Sequence, residues 1–486
     1  MNQPIRELLP QPLWNYFTDL NAVPRPSKKE ERVIAFIKNF GEKLGLPTSV
    51  DDAGNVIIKK PATAGMEDKM TVVLQSHLDM VHQKNSDINF DFDQQGIEMF
   101  IEADWVKAKG TTLGADNGIG VATIMALLAS NDIPHPAIEA LFTIDEETGM
   151  TGALSLKGGL LKGRILLNLD TEEDNELTIG CAGGIDVTAS GAYLQQPAPH
   201  QNAFCISVKG LTGGHSGMDI YKGRANANKL MNRLLLTLSK EIPVNIASID
   251  GGSLRNAIPR ESMATVVVAN DKRNQLTDFV NNYNNISKAE NHFTDPNLLV
   301  SIEPAGEISQ VMSDEFQYQL LRCVYACPNG IYRMSPGIDG LVQSSNNLAR
   351  VLVKDGTFSI QCLTRSSVDS EKMDLAQAIS SDFELMGATI NCASGYPGWE
   401  PRPDAPIVQL MSGLYAEMFK EPAHVDAVHA GLECGILGSN YPGMQMISFG
   451  PNIQGAHSPN EKVQISSVQK FWKFLLETLK RIPSEN

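Results

Sequence analysis

Histidines and carboxylates in this chain fall at the ends of apolar segments, where a folded protein would aim them at one place. His77 and Asp79 follow the β-branched run at 70–75, which predicts a buried strand ending in a turn toward the surface. Side chains alternate along a strand, so residues two apart share a face; there they meet one ligand, or the carboxylate holds the imidazole that meets it. Asp145, Glu146 and Glu147 follow the nearly continuous apolar run 138–144. Adjacent carboxylates at a buried strand end repel one another unless a cation or a shared proton relieves them. Asp170 ends the run 165–169, and His457 lies in GPNIQGAHSPNE just beyond the apolar run 444–449. Asp116, in GTTLGADNGIG at 110–120, stands where a helix over 121–129 should open, a position where a carboxylate caps the helix and answers its dipole. Together His77, Asp116, Glu147, Asp170 and His457 are hard or borderline donors with no thiolate among them. Such a set suits a pair of zinc ions held about 3.5–4 Å apart, bridged by one carboxylate and a water.

The elements that must position these residues alternate as strand, helix, strand, strand, the rhythm of an open, mostly parallel α/β sheet whose ligands bind at the carboxyl ends of its strands. Helices are expected at 5–20 and 28–44, a hairpin from 49–50 to 56–59, a polar surface excursion over 82–104, and a closing helix at 466–480. From 186 to 396 the rhythm changes to strands and helices of an α+β kind, running through a GGHSG loop at 213–217. This stretch reads as an α+β unit repeated once and inserted into the α/β domain. The expected organisation is a catalytic domain over 1–186 and 397–486, interrupted by an inserted lid of two similar subunits over 187–396.

Composition narrows the function. A chain of 486 residues exceeds one hydrophobic core, and 42% apolar with 20% charged residues is the profile of a globular protein. Lys and Arg total 40 against 56 Asp and Glu, a formal charge of −16. That field repels nucleic acid and anionic membrane and favours cations, so neither of the first two is an expected partner. The 7 cysteines are odd in number and lack CxxC spacing. A disulfide framework and a cysteine zinc site are therefore not expected, and a reducing compartment fits. With no basic-then-apolar leader pattern and no apolar run of spanning length, the expected location is the cytoplasm.

The segments SHLDMV, GADNGIG, DEETGMTG, NLD before TEE, GGHSG and GAHSPNE, in that order and spacing, resemble the co-catalytic zinc exopeptidases of the aminoacylase and carboxypeptidase G type over essentially the whole chain. The resemblance implies two Zn2+ per chain, with Co2+ or Mn2+ able to substitute. His77 and Asp170 would hold one ion and Glu147 and His457 the other, with Asp116 bridging and Asp79 orienting His77. Glu146 would be the general base, taking a proton from a metal-bridging water whose pKa is drawn toward ~7 and passing it to the leaving amine. His215, in GGHSG, would donate to the oxyanion when the lid closes. That loop also looks like a phosphate cradle, but no lysine or GK[ST] ending supports it. Asn256 in SLRNAIP and Arg365 in CLTRSS match positions where related dipeptidases bind substrate, and a planar guanidinium suits a terminal carboxylate; Arg255 competes for that role. His429 and Glu433, in HAGLECG, have no assigned part. Asp at 170 and the enlarged lid accompany dipeptidases, so the substrate implied is a small peptide, a dipeptide of the Xaa-His kind. A tripeptide aminopeptidase, an N-acyl amino-acid deacylase and a non-catalytic metal-binding protein are the alternatives. Retention of Glu146 beside the ligands speaks against the last, and a homodimer is compatible with the resemblance.

Overall fold

A computed structural model describes residues 2–199 and 202–485. The chain divides into two units. The first runs to residue 180 and resumes over 399–427 and from 432 onward; the second comprises 181–398 with 428–431.

The first unit is built on an 8-stranded sheet in the order Thr48–Val50, Val56–Lys60, Ile138–Thr143, Val72–His77, Ile165–Asn168, Gln445–Ser448, Glu176–Cys181, His424–Val428. From Ile138–Thr143 to Gln445–Ser448 the neighbours are parallel. Val72–His77, Ile138–Thr143 and Ile165–Asn168 are buried at every position, as strands covered on both faces must be. Helix Ala115–Ala129 packs on Val72–His77, and Gln11–Asn21 packs on that helix. Parallel pairing brings the carboxyl ends of these strands to one edge of the sheet, so His77, Asp145 to Glu147 and Asp170 emerge together.

Several local expectations change. The first expected helix is two, Gln3–Arg6 and Gln11–Asn21, because Pro10 between them has no N–H to give and its ring would clash with the preceding turn. Residues 82–104 are not wholly an excursion. Met99–Glu102 and Trp105–Ala108 form an antiparallel sheet with Ile453–Gln454 and Lys462–Gln464, strands too short for periodicity to reveal. His77 and Asp79 do not turn toward the surface, since both are 0% exposed.

The second unit is one antiparallel sheet. Its order is Leu299–Pro304, Asn202–Lys209, Ser262–Val268, Asn245–Gly252, Val342–Lys354, Thr357–Ser366, Gly183–Ala192, Thr389–Tyr396, with Gly330–Met334 paired beside Val342–Lys354. Each half repeats strand, helix, strand, strand, helix, strand with the same sheet order, and the halves meet edge to edge where Ile249 pairs with Val353. The repeat is nested. Gly183–Ala192 is the first strand of one half, and the whole other half, from Asn202–Lys209 to Leu299–Pro304, intervenes before that half continues at helix Asp314–Ala326. One apolar core runs through both halves, with Leu234, Leu235, Val266, Leu320 and Ile379 fully or almost fully buried. Among the described residues, no helix is long and apolar enough to cross a membrane.

Candidate active site

In the first unit the strand ends bring two imidazoles against a group of carboxylates. His77 Nε2 lies 3.1 Å from Asp116 Oδ1 and 3.5 Å from Asp170 Oδ1. His457 Nε2 lies 3.2 Å from Asp116 Oδ2 and 2.9 Å from Glu147 Oε2. Asp116 thus offers one oxygen to each of two triads, His77–Asp116–Asp170 and Asp116–Glu147–His457, whose donor atoms lie within 4.8 Å of one another. Glu146 joins His77 and Glu147 in a third such group. Asp79 holds the other side of the His77 ring, its Oδ1 3.4 Å from Nδ1. Asp79 also accepts the amides of Glu146 at 3.0 Å and Glu147 at 3.3 Å and the Ser27 hydroxyl at 2.8 Å, tying one strand end to the next.

This concentration of negative charge shows in the titration of the groups. Hydrogen bonds that His457 gives to the Asp116 and Glu147 carboxylates lift its imidazole to about 11. Burial pulls His77 down, but Asp170 and Asp116 outweigh it and raise it well above its usual value. Burial pushes the Asp170 carboxyl up to about 6 despite His77, and it raises Glu146 well above the ordinary carboxylate range, with Asp170 and Glu433 adding to it. Glu172, two residues past Asp170, is lifted to about 8 by burial and by Asp116.

The donors fit a metal pair. Glu147 Oε1 and Asp170 Oδ1 are buried with no hydrogen-bond partner among the described residues, and oxygen with imidazole nitrogen around a shared carboxylate is the donor chemistry of a hard or borderline divalent ion.

Three buried charges next to these residues escaped the sequence reading or went unassigned in it. Arg25 is 1% exposed and gives hydrogen bonds to the carbonyls of Leu78, Asp79 and Gly114; burial lowers its pKa to about 10. Glu461, the last residue of GAHSPNE, accepts the amides of Leu113, Gly114, Ala115 and Asp116 at 2.7, 2.9, 2.7 and 3.2 Å. The helix opening is therefore capped from a distant segment. Asp116 itself has non-helical φ/ψ, and of the two parts open to a carboxylate at a helix start it does not take the cap; its carboxylate meets the imidazoles instead. Glu433 Oε2 accepts from Gln75 Nε2 and Thr143 Oγ1 at 2.6 Å each; burial raises its carboxyl to about 7. The only sequence signals were that Glu461 closes a quoted motif and that Glu433 sits in HAGLECG; Arg25, in a Pro-flanked loop, gave none.

The second unit carries His215, Asn256 and Arg365. His215 bridges to Ala257, and Ser216 donates its amide to the Asn256 carbonyl at 2.8 Å, so the two loops are zipped together by backbone. His215 Nδ1 accepts the amides of Gly217 at 3.2 Å and Met218 at 3.0 Å, which leaves Nε2 as the nitrogen bearing hydrogen. Burial and Arg365 lower its pKa, which favours the neutral ring. Arg365 is 4% exposed, donates Nη1 to Tyr396 at 2.8 Å, and has a buried Nε without a hydrogen-bond partner among the described residues. A Cβ on Gly217 would lie 3.1 Å from His215 Cε1, 3.2 Å from Arg365 Nε and 2.1 Å from the His429 carbonyl, so only glycine lets these groups meet. Asn256 is exposed. The competitor Arg255 is engaged elsewhere, with Nη2 2.7 Å from Thr188 Oγ1 and Nε 3.4 Å from Asp186. His429 is held neutral, its pKa lowered to about 3 by burial and Arg365, with Nε2 2.7 Å from Ser345 Oγ.

Comparison with known proteins adds the following. The sequence profile of peptidase family M20/M25/M40 matches residues 73–481. The chain is 42% identical over 482 residues, 99% of each sequence, to the cytosol non-specific dipeptidase of Escherichia coli (strain K12). The crystal structure of the aminoacylhistidine dipeptidase from Vibrio alginolyticus is similar with a TM-score of 0.93 at 42% identity, covering 99% of both chains. Aminopeptidase PepT from Bacillus cereus ATCC 10987 has a TM-score of 0.56 at 15% identity over 98% of this chain and 99% of its own, a likeness of fold.

Proposed function

This chain belongs to peptidase family M20/M25/M40 and is a hydrolase that works with a bound metal; on that premise we propose that it is a cytoplasmic dipeptidase that holds two zinc ions and accepts Xaa-His among its dipeptides. The observation that carries the reading is the Asp116 carboxylate placed between two imidazoles, each with a further carboxylate beside it. His77 and Asp170 would hold one ion, Glu147 and His457 the other, and Asp116 would serve both. Bound zinc would acidify water and polarise the scissile carbonyl.

The chain's own residues do the rest. Asp79 keeps the His77 ring in place. Glu146, whose acidity is lowered by burial, takes the proton of the attacking water and returns it to the leaving amine. His215 donates Nε2–H to the oxyanion, and its tautomer is set by the amides of its own loop. Arg365, fixed by Tyr396 and with a free Nε–H, takes the C-terminal carboxylate, and Asn256 contacts the substrate backbone. Residues 187–396 act as the lid. Dipeptides are favoured over longer peptides and N-acyl amino acids by the relatives at 42% identity, one a non-specific and one an aminoacylhistidine dipeptidase.

Zinc content together with rates on Xaa-His and other dipeptides, a tripeptide and an N-acetyl amino acid tests the reading. Two zinc ions per chain and fastest turnover on dipeptides are expected. Faster hydrolysis of the tripeptide or the N-acetyl amino acid would reassign the substrate, and turnover without metal would remove the mechanism.

A further inference from the structure

One four-residue stretch of backbone, Leu113 to Asp116, is strung between two buried side chains of opposite charge. On one side the Glu461 carboxylate, 2% exposed, accepts all four amides of the stretch. On the other, Arg25 Nη2 donates to the Gly114 carbonyl at 2.6 Å. Gly114 therefore has its N–H held by the Glu461 carboxyl, which burial raises to about 7, and its C=O by the Arg25 guanidinium. Its left-handed φ of 69° and the absence of a Cβ, which would fall 2.6 Å from Arg25 Nη2, are what let the guanidinium close in.

Each partner also grips a second segment. Arg25 Nη1 holds the carbonyls of Leu78 at 3.0 Å and Asp79 at 3.1 Å, next to His77. The Glu461 amide donates to the Ser458 carbonyl at 3.0 Å, closing the turn that begins beside His457. The three segments that carry His77, Asp116 and His457 thus converge on one pair of charges, and neither member touches the triads through a side-chain donor of its own. Arg25 Nε has no hydrogen-bond partner among the described residues, so the guanidinium holds the backbone through Nη1 and Nη2 alone, and removing either Arg25 or Glu461 leaves polar backbone groups of this buried stretch unpaired.

We infer that Arg25 and Glu461 are positioning residues forming a two-sided brace that presents the two Asp116 oxygens to both metal positions at once, so that the two ions bind as a coupled pair. The inference rests on the metal reading of the site. Because the brace sets Asp116, the residue common to both triads, loosening it must weaken both positions together, whereas a change at Asp170 touches one.

The test is zinc titration of metal-free protein against a chromophoric chelator for wild type, Glu461→Gln, Arg25→Lys and Asp170→Asn, with circular dichroism of the same samples. Gln keeps the size of Glu461 but turns an NH2 toward two of the four amides; Lys keeps the charge of Arg25 but cannot span both segments. Both brace variants are expected to remain folded and to lose about 10–100-fold in affinity for both equivalents together, the range for groups that orient metal ligands. Asp170→Asn should lower one equivalent more than the other. A folded brace variant that binds two ions as wild type does, or loses only one, overturns the brace. So does failure of both to fold, which would make the pair an element of folding only. Wild-type protein that takes up no zinc overturns the metal reading itself, and the brace with it, a result distinct from the others.

Discussion

Glu146 and Glu147 are neighbours in different surroundings. Glu147 Oε2 is 2.9 Å from His457 Nε2, while Glu146, turned toward His77, is the carboxyl that burial raises well above its usual range. A proton shuttle can be removed without emptying the site. Glu146→Ala is therefore expected to cut kcat/KM by roughly 10²–10⁴-fold while zinc stays near the wild-type content, and Asp116→Ala to lose zinc. Joint loss of zinc and turnover in Glu146→Ala would make it a ligand instead. In the second unit, Arg365, the proposed partner of the substrate's C-terminal carboxylate, has a buried Nε–H with no hydrogen-bond partner among the described residues. Amidating the C-terminus of a good dipeptide should cost ~1.5–3 kcal/mol in kcat/KM, and Arg365→Ala should erase that difference. Equal rates on acid and amide with wild type would assign the arginine another role.

Helix Ala115–Ala129 is the element on which the site depends most. It lies against the strand that ends in His77 and passes close to Leu169, the residue before Asp170. The approach is set by Gly120, where a Cβ would fall 2.4 Å from Ser76 Oγ and 2.7 Å from the Leu169 carbonyl. Neither atom can retreat, one being backbone and the other fully buried. Gly120→Ala should thus destabilise the protein by ~1–3 kcal/mol in denaturant melts and weaken zinc binding, since it pries Asp170 away from His77. A variant with unchanged midpoint and zinc affinity would mean the helix shifts freely. The helix body was legible at 121–129 because its residues are continuously apolar and small. Its opening was not, because the group that caps it, Glu461, comes from a segment remote in sequence.

At the scale of the whole molecule the proposed ligands and the proposed lid residues fall in different compact units, each with its own core. All five expected metal ligands are in the first unit, so zinc should stabilise that unit alone. Calorimetry of the metal-free protein is expected to give two transitions, one of which rises on adding zinc, by ~4 kcal/mol at 1,000 times the dissociation constant, while the other stays in place. Equal movement of both would mean the units unfold as one. Likewise, His215→Ala should lower turnover by ~10²–10³-fold without altering zinc content, because it belongs to the unit that holds no ligand.

Sequence alone determined the class of the fold and singled out the candidate ligands. His77, Asp116, Glu147, Asp170 and His457 could be picked out because each closes or opens an apolar element, and a parallel sheet sends such ends to one edge whatever the loops do. The inserted α+β unit was equally legible as a repeat, since each half carries its own hydrophobic pattern. Tertiary structure alone decided what lies between distant segments. It buried His77 and Asp79, gave the cap of the Asp116 helix to Glu461, and set Arg25 against three backbone carbonyls. It also engaged Arg255 with Thr188 and Asp186, while Arg365 Nε has no hydrogen-bond partner among the described residues. The strand Gly183–Ala192 joined the later half of the repeat across the whole of the earlier one. In each case the cause is the same: local pattern records which face of an element is apolar, whereas the partner of a buried charge or of a strand edge is set by packing between elements far apart in the chain, and no periodicity encodes it.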